Sequence, residues 1–255
     1  MLKNKISAIL ITGNEEENIR DCLESIKWAD EIIVVDSESN DKTVEIAKEY
    51  TDNIFIKKWE GFSVQKKFAL NKANNGWIFS IDADERITPE LANEIIDADL
   101  NDAEGYYIRR ENYFLGKMIT GCGWGNDYQL RLFNKSKTKV TDKLVHEGFV
   151  VDGKSLKLKN TIIHLTNKNL YQAIEKANKY SSLESVEKYK TKNVSSASII
   201  FKPIFELYQH FVARKGYKDG VHGLLVSAIH ALTKLMVLSK IWELKNRINF
   251  TNKLD

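Results

Sequence analysis

Two cysteines in 255 residues, Cys22 and Cys122, are too few for a disulfide framework or a thiolate metal site, and they fit a reducing compartment. No internal repeat or low-complexity tract is visible, and a chain that is 43% hydrophobic and 29% charged can bury a sizeable core rather than stay disordered. Long apolar runs are scarce. The opening MLKNKISAIL carries two lysines, but its apolar run is broken by Ser7 and soon ended by Gly13 and Asn14, too short for a signal peptide. GLLVSAIHALTKLMVLSKIW, Gly223–Trp242, holds His230, Lys234 and Lys240, so it suits a surface-lying amphipathic helix or a packing helix better than a bilayer span. A cytosolic protein is expected.

What is present is a charge asymmetry. Residues 1–167 hold 23 Lys/Arg against 28 Asp/Glu, whereas residues 168–255 hold 15 against 7. A basic, partly apolar tail on an acidic body points to an anionic surface as partner. The tail lacks the aromatic and glycine pattern of an RNA-binding sheet, which favours membrane over nucleic acid. Two regions are expected, 1–167 and a helical 168–255.

The first half alternates strand and helix signals. Apolar runs at Ile6–Ile11, Ile32–Val35, Ile54–Ile56 and Trp77–Ile81 are separated by helical patterns, one starting near Glu15 and another spanning Phe62–Asn71. That order implies βαβ units and a mostly parallel sheet, in which ligands bind beyond the carboxyl ends of the strands. Thr12–Glu15, Asp36–Asp41 and Asp82–Glu85 each follow a strand end. Beyond residue 100, Tyr106–Arg109 and Gln129–Phe133 read as strands around the glycine-rich LGKMITGCGWGNDY, and residues 169–192 and 195–247 read as helices.

FSIDADER, Phe79–Arg86, stops an apolar run on three carboxylates. Carboxylates at i and i+2 of an extended segment point to one side, so Asp82 and Asp84 are expected to converge, and their repulsion is relieved by a hard cation such as Mg²⁺ or Mn²⁺. Solvated turn chemistry ahead of a helix near Pro89 is the alternative.

Taken in order, ISAILITGNEEENI, DEIIVVDSESNDKT, FSIDADERIT, GWGNDYQLRLF and VHE resemble the inverting, GT-A-fold glycosyltransferases of family 2, which include the bacterial lipopolysaccharide core β-glucosyltransferases. The resemblance implies an α/β GT-A fold with a C-terminal helical extension. It implies transfer of a hexose, glucose above others, from a UDP-sugar to a lipid-linked surface glycan, with Mg²⁺ or Mn²⁺, on the inner face of the cytoplasmic membrane. Thr12, Asn14, Glu15, Asp36, Ser37, Gln65, Lys66, Asp82 and Ala83 are expected on the nucleotide side. Asp84 and His146 are expected at the metal, Asp127 as the base that takes the acceptor proton, and Trp124 as a sugar-stacking face or a core residue. Arg131 could approach phosphate, and His164 reads as core or as support behind the ligands. Glu38 stands where relatives often carry glycine, DSES for DSGS, and Gly13 where they carry a bulkier residue. A sugar-1-phosphate nucleotidyltransferase would want a glycine-rich, basic loop after the first strand, where TGNEEEN is acidic. A non-catalytic membrane-docking scaffold would not need Asp82, Asp84 and Asp127.

Overall fold

The computed structural model describes residues 4–141 and 148–251, with side chains as far as Asn246. In chain order its elements are β1 (Ile6–Thr12), α1 (Ile19–Ser25), β2 (Glu31–Asp36), α2 (Thr43–Ala47), β3 (Ile54–Ile56), α3 (Phe62–Lys72), β4 (Trp77–Asp82), β5 (Glu85–Ile87) and α4 (Pro89–Asp97). They continue with β6 (Gly105–Phe114), β7 (Lys117–Met118), β8 (Tyr128–Asn134), β9 (Thr138–Val140), β10 (Phe149–Val151), β11 (Ser155–Asn167), α5 (Leu170–Lys188), α6 (Ser196–Tyr208) and α7 (Val221–Thr251). Contacts divide the chain into two compact units, Met1–Glu111 with Asn126–His164 and Asn112–Gly125 with Leu165–Asp255.

In the first unit the four apolar runs become β3-β2-β1-β4, all parallel, with Leu10 opposite Val34 on one side and Ile81 on the other. Runs that are apolar at nearly every position belong in strands covered on both faces, and β1 and β4 are buried almost throughout. One core, including Leu10, Leu23, Ile26, Phe79, Leu91 and Ile95, fills one face; Ile9, Ile33, Ile78 and Phe133 fill the other. Then the direction changes. β8 pairs antiparallel with β4, and β5 antiparallel with β11, so the sheet continues β4-β8-β6-β11-β5. β4 therefore lies where a parallel half meets an antiparallel half, and its carboxyl end carries Asp82 and Asp84.

The second unit is helical. Asn169 caps α5 by accepting from the Gln172 N–H at 2.9 Å, and Ser195 and Ser198 form a reciprocal cap on α6. The stretch 195–247, expected to be helical, holds two helices: α6 passes into one wider turn at Gln209–Ala213, and the chain turns at Lys215 and Gly220, both with positive φ, before α7. The glycine-rich 112–125 segment packs here. The Asp219 carboxylate, nearly fully buried, accepts from the Thr120 and Gly121 N–H groups at 3.2 and 2.6 Å. Glycine is required at Gly223, where a Cβ would meet the Gly216 carbonyl oxygen at 1.9 Å.

His210 and His230 stack within this unit, 3.9 Å between ring centroids, and His230 Nε2 accepts from Trp124 Nε1 at 3.3 Å. Burial pushes the His230 imidazolium down to about 4, with the neighbouring His210, Arg214 and Lys234 adding to it and Glu206 opposing. Because the unfolded imidazole takes its proton first, near 6.5, stability should fall as pH drops from about 6.5 to about 4 and be level above that window. Chemical unfolding of wild type and His230→Gln across this range should show a shallower loss in the variant; parallel curves would mean that His230 does not contribute.

Candidate active site

The carboxyl ends of β1 and β2 are locked together by side chains. Asn14 N–H donates to Ser39 Oγ at 2.7 Å, Glu15 N–H to Thr43 Oγ1 at 2.7 Å and Glu16 N–H to Asp41 Oδ2 at 3.1 Å. Asn14 Oδ1 in return accepts the Asn40 N–H at 2.9 Å. These are the backbone donors that a helix beginning at Glu15 would have offered to a ligand. In the structure α1 begins at Ile19, four residues later, and the donors are engaged by the β2–α2 loop. Asn14 tolerates its left-handed backbone (φ 56°), as asparagine does. Glu38, also left-handed at φ 59°, occupies a conformation that glycine adopts without strain, which explains the glycine of DSGS.

Asp36 is fully buried, and its two oxygens accept from the Ser39 N–H at 2.8 Å and the Ser39 hydroxyl at 2.5 Å. This carboxylate shapes the loop, where a group offered directly to a nucleotide was expected. Two other polar atoms at this edge lack a partner among the described residues. They are Thr12 Oγ1 and Gln65 Oε1, both buried. Gln65 Nε2 donates to the Lys57 and Lys58 carbonyls at 2.9 and 3.1 Å and reaches Ser37 Oγ at 3.3 Å. An unsatisfied buried acceptor costs about 1–3 kcal/mol, so these two atoms mark a place where a donor from outside the chain would be gained.

Asp82 and Asp84 meet different partners. β4 ends at Asp82 and the chain turns at Ala83–Asp84, which ends the alternation on which convergence depended. Asp82 Oδ2 instead meets Arg131 on β8 at 2.6 Å, and the same guanidinium nitrogen binds Glu85, which has no exposure. Arg110 on β6 is the second cation of the group, 3.4 Å from Glu85. Burial pushes the Asp82 carboxyl up, but Arg131, Lys66 and Arg110 outweigh it and hold it well below the usual range. Glu85 goes the other way, raised by burial and by the Asp82 charge against the pull of Arg131. Ala83, 5% exposed, lends its carbonyl to Arg86, which also donates to the Asn18 carbonyl at 2.7 Å and so clips the turn to the start of α1.

Asp84 has a different partner. His164, on β11 opposite Glu85 in the antiparallel register, brings Nε2 to 3.4 Å from Asp84 Oδ2. The histidine expected to act as core or support thus stands beside the acid at the turn. His146 lies outside the described residues.

Asp127 immediately precedes β8. Arg110 Nε and a terminal guanidinium nitrogen meet Asp127 Oδ2 at 2.9 and 2.7 Å, and Gln129 Nε2 donates to Oδ1 at 2.7 Å. Arg110 therefore ties Asp127 to Glu85, and through Glu85 to the acidic turn. Trp124, in the helical unit, is half-buried against Phe114 as well as bonded to His230, so much of its indole is packing surface.

Residues 7–150 match the family model for glycosyl transferase family 2, and the chain is 32% identical over 264 residues to an uncharacterized glycosyltransferase of Rickettsia bellii, covering 98% of this chain and 90% of that one. The chain belongs to glycosyl transferase family 2. A second relative, the lipopolysaccharide core biosynthesis glycosyltransferase LpsC of Rhizobium meliloti, is 29% identical over 99% of this chain and 98% of its own. Among solved structures, the mannosyltransferase PcManGT of Pyrobaculum calidifontis, determined with GDP-Man and Mn²⁺, has a TM-score of 0.53 at 14% identity, covering 92% of this chain and 88% of that one. The likeness is one of fold, and the fold is GT-A. As a family 2 member the protein is a glycosyltransferase, an enzyme that uses nucleotide sugars.

A divalent ion fits the family 2 site in a restricted way. Among the described residues no three His, Cys, Asp or Glu side chains are grouped to hold one. Asp84 and His164 supply one oxygen and one nitrogen close enough together for a single ion, while Asp82 is committed to Arg131. Mg²⁺ and Mn²⁺ are commonly held by one or two protein groups with the remaining positions filled by water and phosphate oxygens, and the imidazole nitrogen favours Mn²⁺ of the two.

Proposed function

We propose that the protein transfers a hexose, glucose in the first instance, from a UDP-sugar to a lipid-linked bacterial surface glycan such as lipopolysaccharide core, with inversion and at the membrane surface. The observation that carries this proposal is the acidic turn after β4, where Asp84 stands beside His164 and Asp82 is bound by Arg131. LpsC, aligned over nearly its whole length, supports the acceptor class.

In the proposed reaction Thr12, Asn14, Glu15, Ser37 and Gln65 hold the nucleoside from the joined ends of β1 and β2. Asp36 sets that loop through Ser39. Lys66, whose charge is felt at Asp82, faces the phosphates together with the Asp82–Ala83 turn. Asp84 and His164 would hold Mg²⁺ or Mn²⁺, which when bound supplies positive charge opposite the diphosphate. Asp127, oriented by Arg110 and Gln129, takes the proton of the acceptor hydroxyl as its oxygen attacks the anomeric carbon. The bond from that carbon to the diphosphate oxygen breaks on the opposite face, and its electron pair leaves with UDP.

Calorimetry with UDP, with and without Mn²⁺, tests the donor side. Asp84→Ala should lose at least about tenfold in Mn²⁺-dependent affinity, because one of the two protein ligands is gone. His164→Ala should behave alike, and metal-free UDP binding should change little in both. Unchanged Mn²⁺-dependent affinity in Asp84→Ala would remove the metal assignment, and preferential binding of GDP would remove the uridine assignment.

A further inference from the structure

The polarity of α6 is reversed for a helix in water. Ile200, Phe201, Ile204, Phe205 and Tyr208, spaced i, i+1, i+4, i+5 and i+8 on one face, are each more than half exposed. The charged Glu206 instead turns inward, 2.8 Å from Lys234 of α7 and 3.5 Å from His210. Single exposed apolar residues are ordinary, but five large ones in a contiguous stripe mark a surface that something apolar covers. We infer that the outward face of α6 inserts into the interfacial layer of an anionic lipid bilayer.

Charge selects lipid over a second copy of the chain. Lys192 lies within electrostatic reach of Lys202, and Arg214, Lys215 and Lys218 follow α6 directly. Two copies joined through this face would bring their cationic borders together, whereas lipid phosphates neutralise them. Exposed Tyr208 and Tyr217, at and just after the end of α6, are of the aromatic type that settles at headgroup level. α7 has a segment, Val221–Asn246, long and apolar enough to cross a membrane, but Lys234 is paired with Glu206 and Lys240 donates to the Asn178 carbonyl at 2.8 Å and to Ser181 Oγ at 2.7 Å. Those ties make α7 a packing helix, so contact with lipid falls to α6. The assignment rests on the proposed lipid-linked acceptor and names the element that reaches it.

The test is co-sedimentation of the full chain with vesicles of phosphatidylglycerol and phosphatidylethanolamine. Phe201→Gln/Phe205→Gln should partition on the order of tenfold or more weaker than wild type, with unchanged thermal stability because both positions are exposed. A Phe205→Trp reporter should shift to the blue and be quenched by brominated lipid. Wild type that fails to sediment, or a double variant that sediments equally, overturns the inference. So does a wild-type dimer that the double variant dissolves, since the face would then bind a second copy. Donor-sugar hydrolysis without vesicles separates the two proposals: hydrolysis retained in the double variant while vesicle binding is lost supports the lipid face, and vesicle behaviour as expected with no hydrolysis in either protein leaves the lipid face standing and removes the transfer reaction.

Discussion

Asp127→Asn should bind UDP and Mn²⁺ as wild type does yet turn over about two to four orders of magnitude more slowly, the range assigned to a positioned general base. The environment explains why the fold should tolerate the change. The new amide can keep its oxygen toward Arg110, which then retains its contact with Glu85, and turn its NH₂ toward Gln129. Gln129 now donates through Nε2; flipping its own amide presents an oxygen to the new donor. Shape and hydrogen bonding persist while the proton acceptor is lost. Single-turnover measurement with saturating donor separates this loss from a binding defect. A near-wild-type rate would move the base to another carboxylate, with Glu111 and Glu147 the next to test.

Arg131→Met should destabilise the first unit by roughly 3 kcal/mol or more, because it strands two carboxylates that share one guanidinium. Breaking one side of a buried ion pair costs more than the pair itself contributes, since the remaining charge is left short of partners; here Arg110 at 3.4 Å is the cation that stays with Glu85, and Asp82 keeps some contact with water. Glu85, without exposure, carries most of that cost. The variant should therefore regain stability as pH falls and Glu85 takes up a proton, opposite to the usual acid loss. Arg131→Met/Glu85→Gln should recover part of the deficit. Urea unfolding across pH checks all three points, and a loss below about 1 kcal/mol would mean that Arg110 alone suffices for both acids.

The parallel half of the fold was legible because it is coded locally. Apolar runs ending in Thr12, Asp36 and Asp82 give strands, burial and the edge where ligands gather, and Ile54–Ile56 coincides with β3 residue for residue. The partners of the acidic turn are not coded locally. An i, i+2 rule predicts convergence for Asp82 and Asp84, but the turn at Ala83–Asp84 and an arginine 49 residues away decide where Asp82 points. Arg110 and Arg131 look like ordinary strand charges until β6 and β8 are paired, and His164 meets Asp84 only once β11 lies against β5. The break between α6 and α7 has a similar origin. Nothing in the sequence near Lys215 demands a left-handed residue, and the turn it makes goes with a close approach of Gly223 to the Gly216 carbonyl that no local pattern announces. The reversed face of α6 was hidden for another reason, since an apolar stripe reads alike whether it points into a core or away from one.

The interlocked ends of β1 and β2 have a consequence for engineering. Asn14, Glu15 and Glu16 donate their amides to Ser39, Thr43 and Asp41, and Asn14 accepts from Asn40 in return. Each loop also bonds within itself, Ser39 to Asp36 and Thr43 to Asp41 in one and Asn18 to Glu15 in the other, but the ties between them run mainly from backbone donors on the first to side-chain acceptors on the second. The donors are backbone amides, which any sequence supplies, while the acceptors are the side chains of Ser39, Asp41 and Thr43, so a graft that replaces residues 36–43 without those three acceptors would leave the amides of residues 14–16 unpaired, and the two segments are best exchanged among relatives as a single cassette.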